Sequence, residues 1–140
     1  MTTTLSKSLA TSMRQRSPAV IVLCLLDAGL MITSGLIHLH LQQTAYQHVK
    51  TIGPLFIVQF VSCLVIAAAL LVTRHVLVAL AGVALMAGTI IGFVLVRTVG
   101  LFNFKLPYST TLANQVLVIE VCAVALGLLT AWVMWRHRRD

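Results

Sequence analysis

Acid is what this sequence has least of. Its 140 residues include three Asp or Glu against ten Lys or Arg, and only 9% of residues are charged. A soluble domain carries about 25% charged residues, so a water-soluble globule is excluded. Cysteine is also scarce. Cys24, Cys63 and Cys122 are odd in number and lack CxxC spacing, which excludes a disulfide framework or a zinc ribbon. They read as small apolar fillers of a buried interior. No glycine-rich phosphate loop or catalytic motif is present, and no polar stretch is long enough to form a soluble domain. A non-enzymatic protein with no cofactor is therefore expected.

What is present is apolar sequence, 59% of residues, with a mean hydropathy of +1.00. Four runs reach the roughly 20 residues a bilayer crossing needs. They cover about 19–40, 54–73, 76–99 and 111–135. Hydrocarbon offers no partner to a backbone amide, so each run must be a helix. Pro18 and Pro54 suit first-turn positions of the first and second helices. Ser109, Thr110 and Thr111 offer N-caps to the fourth. Only Arg74 and His75 separate the second run from the third, so these two form an antiparallel hairpin. The fold class expected is an all-α, antiparallel four-helix transmembrane bundle over 18–135. Basic tails at 1–17 and 136–140 flank it.

The net charge of +7 would suggest nucleic acid in a soluble chain. Here the bases flank apolar runs, so a lipid bilayer is the expected partner and nucleic acid is not. Lys7, Arg14, Arg16, Arg74, Arg136, Arg138 and Arg139 fall on one side. Lys50, Arg97 and Lys105 fall on the other. Seven against three places both termini in the cytoplasm of a multi-pass plasma-membrane protein. The first sixteen residues contain Ser, Thr and base without acid, which reads as a cytoplasmic tail and also fits a transit peptide.

Two of the three acids lie inside runs. An acid at the bilayer centre costs roughly 2.5–3.5 kcal/mol on insertion scales, so Asp27 and Glu120 are functional candidates by default. Helix rise places each about 12–13 Å from its nearer membrane face. Helical spacing puts Asp27, Ser34 and His38 on one side of the first helix, and Gln59, Ser62 and Cys63 on one side of the second. Glu120 shares its side with Ala123 and Gly127. An inward polar cluster of Asp27, Ser34, Gln59, Ser62 and Glu120 is predicted, with His38 above it. Arg97 lies too far along the third helix to pair directly with Glu120 without tilt or a break. Three roles stay open for the acids: neutral carboxyls that hydrogen-bond helices together, a partner for a base on another protein, or a proton or ion path.

Ala84, Gly88 and Gly92 recur at steps of four on the third helix, and Ala123, Gly127 and Ala131 do so on the fourth. Small residues at this spacing let helices approach closely in lipid. They suit packing of the third helix on the fourth, or on a second chain in a homodimer or larger membrane complex. On the loop side, His38, His40 and His48 are metal-ligand candidates, and interfacial polar residues otherwise. His38 and His40 are about 200° apart on a helix, so a helix would not present both to one metal; no metal is expected. Phe102, Phe104 and Tyr108 suit an interfacial aromatic belt or a lid over the bundle.

The segment 35–59 carries IHLHL, then Tyr46 and His48, then TIGPLF. It resembles a group of small four-span membrane proteins of actinobacteria. That group carries a Gly-Tyr-Arg-His-Ile-Pro type run where this chain has Ala45-Tyr46-Gln47-His48-Val49-Lys50. The resemblance implies a cell-envelope setting and supplies no mechanism. Three functions are expected from the residues, in this order: an accessory or interaction subunit of a membrane complex, a proton-coupled transporter using Asp27 and Glu120, and a metal- or redox-linked protein using the loop histidines.

Overall fold

The computed structural model describes residues 17–106 and 111–139. They form four helices long and apolar enough to cross a membrane: α1 Pro18–Leu41, α2 Ile52–Thr73, α3 Val76–Thr98 and α4 Thr111–Arg139. They pack antiparallel. The start of α1, the end of α4 and the Arg74–His75 hairpin lie at one end of the bundle, and segments 47–51 and 99–106 at the other, called here the loop end.

The helix ends follow local chemistry. Pro18 occupies the first turn of α1, where a missing N–H removes no intrahelical bond. α1 runs past the expected end near residue 40 into a π turn, Gln42–Tyr46. No breaker stands there, and Thr44 Oγ1 donates to the His40 carbonyl at 2.8 Å. α2 begins at Ile52, which leaves Pro54 in its first turn. Arg74 ends α2 in the left-handed conformation (φ 46°) and its N–H bonds the Leu70 carbonyl. His75 then caps α3, its ring accepting from the Leu77 N–H at 3.2 Å. α4 does not stop at residue 135 but continues through the expected basic tail to Arg139. Cations suit a helix C-terminus. The Arg136 and Arg139 guanidinium groups also lie 4.9 and 3.8 Å from the ring centres of Trp132 and Trp135. The basic N-terminal residues, and Ser109 and Thr110 as caps, fall outside the described residues.

The core centres on one long stripe of α1 facing one long stripe of α4, completed by Cys63, Ala67 and Leu70 of α2 and Ala79 and Met86 of α3. On α1 the stripe is Val20, Cys24, Asp27, Met31, Ser34 and His38; on α4 it is Val116, Glu120, Ala123, Gly127, Thr130 and Met134. Both alternate steps of four and three, the spacing of a seam between two helices crossing at a shallow angle. Two ties fix the register: Ser34 bonds Glu120, and Asp27 lies against Gly127. α2 packs along α1, and α3 along α4. By contrast, α2 and α3 touch least of the neighbouring pairs, although two residues join them. They meet towards the hairpin, where Gly82 lies near Ile66, and separate towards the loop end.

The two small-residue stripes part company. Ala123, Gly127 and Ala131 are buried inside the bundle. A Cβ on Gly127 would stand 2.7 Å from Val83 Cγ2 and 3.4 Å from an Asp27 carboxyl oxygen. This stripe therefore receives α1 and α3 and is no free face for a second chain. Ala84, Gly88 and Gly92 do not pack on α4. A Cβ on Gly88 or Gly92 meets nothing within 4 Å, because these residues border the gap between α2 and α3.

Candidate functional site

Glu120 is the centre of the polar interior. Its residue is 1% exposed and Ser34 is fully buried. Oε1 accepts the Ser34 hydroxyl at 3.2 Å and lies 3.7 Å from His38 Nε2. That second distance is within ion-pair reach but longer than a hydrogen bond. The His38 Nδ1 lies 2.9 Å from the Ser34 carbonyl oxygen. A carbonyl can only accept, so Nδ1 carries a hydrogen. Nε2 then faces Glu120 with either a lone pair or a second hydrogen. When one exchangeable proton is shared between Nε2 and the carboxyl, the pair is neutral whichever atom has it. Loss of that proton leaves one negative charge in the bundle. The Ser34 hydroxyl has a single hydrogen, and it is directed at the carboxyl rather than at the imidazole.

His38 and Glu120 form part of the wall of a cavity of about 410 Å³ at the loop end. The cavity occupies the gap where α2 and α3 separate. Its α2 side carries Gln59 and Ser62, and its α3 side carries Ala84, Gly88 and Gly92. The remaining wall is mainly aliphatic and aromatic. Gln59 directs its amide at Cys63 Sγ, 3.7 Å away. Neither Gln59 nor Ser62 hydrogen-bonds Glu120 among the described residues.

An aromatic series roofs the cavity. The His38 ring meets Phe56 edge-on at 5.1 Å, Phe56 meets Tyr46 at 5.1 Å, and Tyr46 meets Phe104 at 5.7 Å. Each end of the series is held by backbone. The π turn delivers Tyr46, whose carbonyl approaches Gly53 so closely that a Cβ there would stand 2.5 Å from its oxygen. Phe104 is fixed by a tight turn. Leu101 and Phe104 exchange two 2.8 Å backbone bonds, and the Leu106 N–H returns to the Val96 carbonyl at 3.2 Å. Phe102 and Asn103 at the turn tip have φ of 51° and 60°. Of the three residues expected in an aromatic belt or lid, Phe104 turns inward as part of the roof. Phe102 is exposed, and Tyr108 lies outside the described residues.

The predicted inward cluster is therefore divided. Ser34 and Glu120 touch, Gln59 and Ser62 share their cavity, and His38 belongs to the cluster rather than standing above it. Asp27 is a separate site. It is two helical turns from Ser34, roughly 10 Å along α1, and is not part of the cavity wall. It is 2% exposed, and its Oδ2 has no hydrogen-bond partner among the described residues. It rests against the open backbone of Gly127. Arg97 is exposed, its guanidinium 5.6 Å from the Phe93 ring centre, and makes no pair with Glu120. His40 and His48 are exposed and apart from His38, since α1 stays helical through His38 and His40. Among the described residues no group of three or more His, Cys, Asp or Glu is placed to hold a metal.

Reading faces from sequence gives Phe104 as a belt or lid candidate but finds neither Tyr46 nor Phe56 as its companions in the roof. The one signal that could have found them is the polar–aromatic mixture on both sides of the loop end. Comparison with family models, with curated proteins and with solved structures finds no match to this chain.

Proposed function

We propose that this small multi-pass membrane protein is a proton-coupled carrier. It takes a lipophilic molecule into the cavity between α2 and α3 and links that step to the proton held by Glu120 and His38. The observation that carries this proposal is the placement of a buried carboxyl–imidazole pair in the wall of a 410 Å³ apolar cavity. That volume is within the usual range for small-molecule sites, about 300–1,000 Å³. A membrane-buried acid that borders a cavity is a natural proton site. Asp27 stands apart from this exchange. The plasma membrane is the setting proposed, in line with the distribution of basic residues and with the actinobacterial resemblance of segment 35–59. Four spans are few for a carrier, so a homodimer is proposed as the working unit.

The test is proton movement in liposomes that carry an internal pH dye, on addition of a panel of lipophilic compounds. Wild-type protein is expected to give a compound-dependent pH change that Glu120→Gln abolishes. Equal signals from both proteins would remove the carrier proposal.

A second function, an accessory subunit of a larger membrane complex, draws support from Gly88 and Gly92, whose free surfaces would admit a helix from another chain. Its test is crosslinking in native membranes. A stoichiometric partner attached at α3 and lost in Gly88→Leu would favour it over the carrier.

A further inference from the structure

We infer that the molecule taken up is an organic cation with an apolar body, and that each cation admitted displaces one proton from the Glu120–His38 pair. This rests on the carrier proposal and adds the chemical class of its substrate.

The composition of the cavity wall carries the inference. Glu120 is its only carboxyl, and no Lys or Arg stands in it among the described residues. Tyr46, Phe56, Phe93 and Phe104 supply four aromatic rings. Ring faces are electron-rich and attract cations within about 6 Å of the centroid. The rest of the wall is mainly aliphatic, with Gln59, Ser62 and Thr89 its polar side chains besides Glu120 and His38, too few to replace the water shell of a hydrated inorganic ion. A volume of 410 Å³ also far exceeds one ion or a few waters at about 30 Å³ each. An anion would find no Lys or Arg in the wall, and its entry would oppose loss of the proton from the pair. A neutral lipophile would fill the space but would supply no counter-charge to the carboxylate left by proton loss.

Geometry limits where the exchanged proton can sit. His38 Nδ1–H is committed to the Ser34 carbonyl, which leaves Nε2 and the Glu120 carboxyl as the atoms that can give it up. A cation entering beside the carboxylate restores the charge that the departing proton removes. One positive charge enters and one leaves. Other ionisable groups stand on each element packed around the pair. On the π turn, Tyr46 is joined to His38 through Phe56. On α1, Asp27 lies about 10 Å further towards the hairpin. On α2, Cys63 is buried beside Gln59. On α3, Arg97 is exposed and lies over Phe93. Lys50 and Lys105 are exposed on the loop segments. On α4, Glu120 stands alone at this depth. Arg97 over Phe93 is itself a cation resting on a wall aromatic, the contact proposed for the substrate.

The experiment is calorimetric titration of the full chain in lipid nanodiscs, with three probes of similar bulk. Tetraphenylphosphonium is the cation, triphenylphosphine oxide the neutral analogue and tetraphenylborate the anion. Titrations are repeated in buffers of different ionisation enthalpy. Tetraphenylphosphonium is expected to bind with release of one proton, with affinity falling by up to tenfold for each pH unit lowered. Glu120→Gln should remove that binding, and Glu120→Asp should retain a weaker form of it. Retention of helical content by circular dichroism distinguishes lost binding from lost fold. If triphenylphosphine oxide binds in a Glu120-dependent way and the cation does not, the substrate class is overturned while the carrier proposal stands. If no probe binds, both are overturned. Tetraphenylphosphonium binding without proton release, or unchanged in Glu120→Gln, also overturns the inference.

Discussion

His38 on α1 and Glu120 on α4 face each other across the central seam of the bundle, Nε2 3.7 Å from Oε1. Ser34 bridges them. Its carbonyl accepts from His38 Nδ1 at 2.9 Å, and its hydroxyl donates to Glu120 at 3.2 Å. One residue thereby fixes the ring tautomer and the carboxyl position together. Both groups also form part of the wall of the loop-end cavity, so a proton buried in the seam is one step from whatever fills that space.

The tautomer is directly observable. Nitrogen-15 spectra of His38 in lipid are expected to show Nδ1 protonated throughout the range from about pH 5 to 8, where imidazole normally changes state. Only the Nε2 signal should respond to pH. An unprotonated Nδ1 at any pH in that range would contradict the bridging role of Ser34.

Gly127 should tolerate little. A Cβ there stands 2.7 Å from Val83 Cγ2 and 3.4 Å from an Asp27 carboxyl oxygen. Overpacking of this kind typically costs about 1–3 kcal/mol, so Gly127→Ala should lower stability by that amount in detergent unfolding. Adding Val83→Ala should recover part of the loss, because the closer of the two clashes is then gone. Gly88→Leu, with open space around it, should leave stability nearly unchanged. Equal losses at Gly127 and Gly88 would mean that the two glycine stripes are not differently used.

Much of the fold is legible in the sequence, because hydrocarbon leaves a long apolar run no alternative to a helix. The two-residue link at Arg74–His75 forces the α2–α3 hairpin for the same reason. The shared face of Asp27, Ser34 and His38 is also legible, since helix geometry alone sets it. What spacing could not tell is which faces meet. Gly88 and Gly127 both look like packing residues, yet one borders a gap and the other is filled by Val83. The separation of α2 from α3 depends on tertiary packing, and the cavity depends on that separation. The aromatic roof was hidden for a different reason. It needs the π turn at Gln42–Tyr46 and the left-handed turn at Phe102–Asn103, and neither has a sharp sequence signature. The alternation of fours and threes along the α1 and α4 seams was present in the sequence. Polar residues at the very positions of the seam obscured it.

Gly53 tests the roof. A Cβ there would stand 2.5 Å from the Tyr46 carbonyl oxygen, a backbone atom that cannot turn aside. Gly53→Ala should shift the π turn and separate Tyr46 from Phe104. The readout is the rate of crosslinking between cysteines placed at Tyr46 and Phe104, which are in ring contact at 5.7 Å. The rate should fall severalfold in Gly53→Ala, while helical content stays constant. An unchanged rate would show that the roof does not depend on this approach.

The most direct test of the central claim is photolabelling in a bilayer with a small diazirine-bearing lipophilic cation, followed by peptide mass mapping. Adducts are expected on the cavity wall, at Gln59, Ser62, Thr89 and Leu117, and Gly88→Leu should suppress them by filling the space. Adducts spread evenly over outward residues such as Val72, Leu77 and Val118, with no response to Gly88→Leu, would show that the gap between α2 and α3 is not a ligand site.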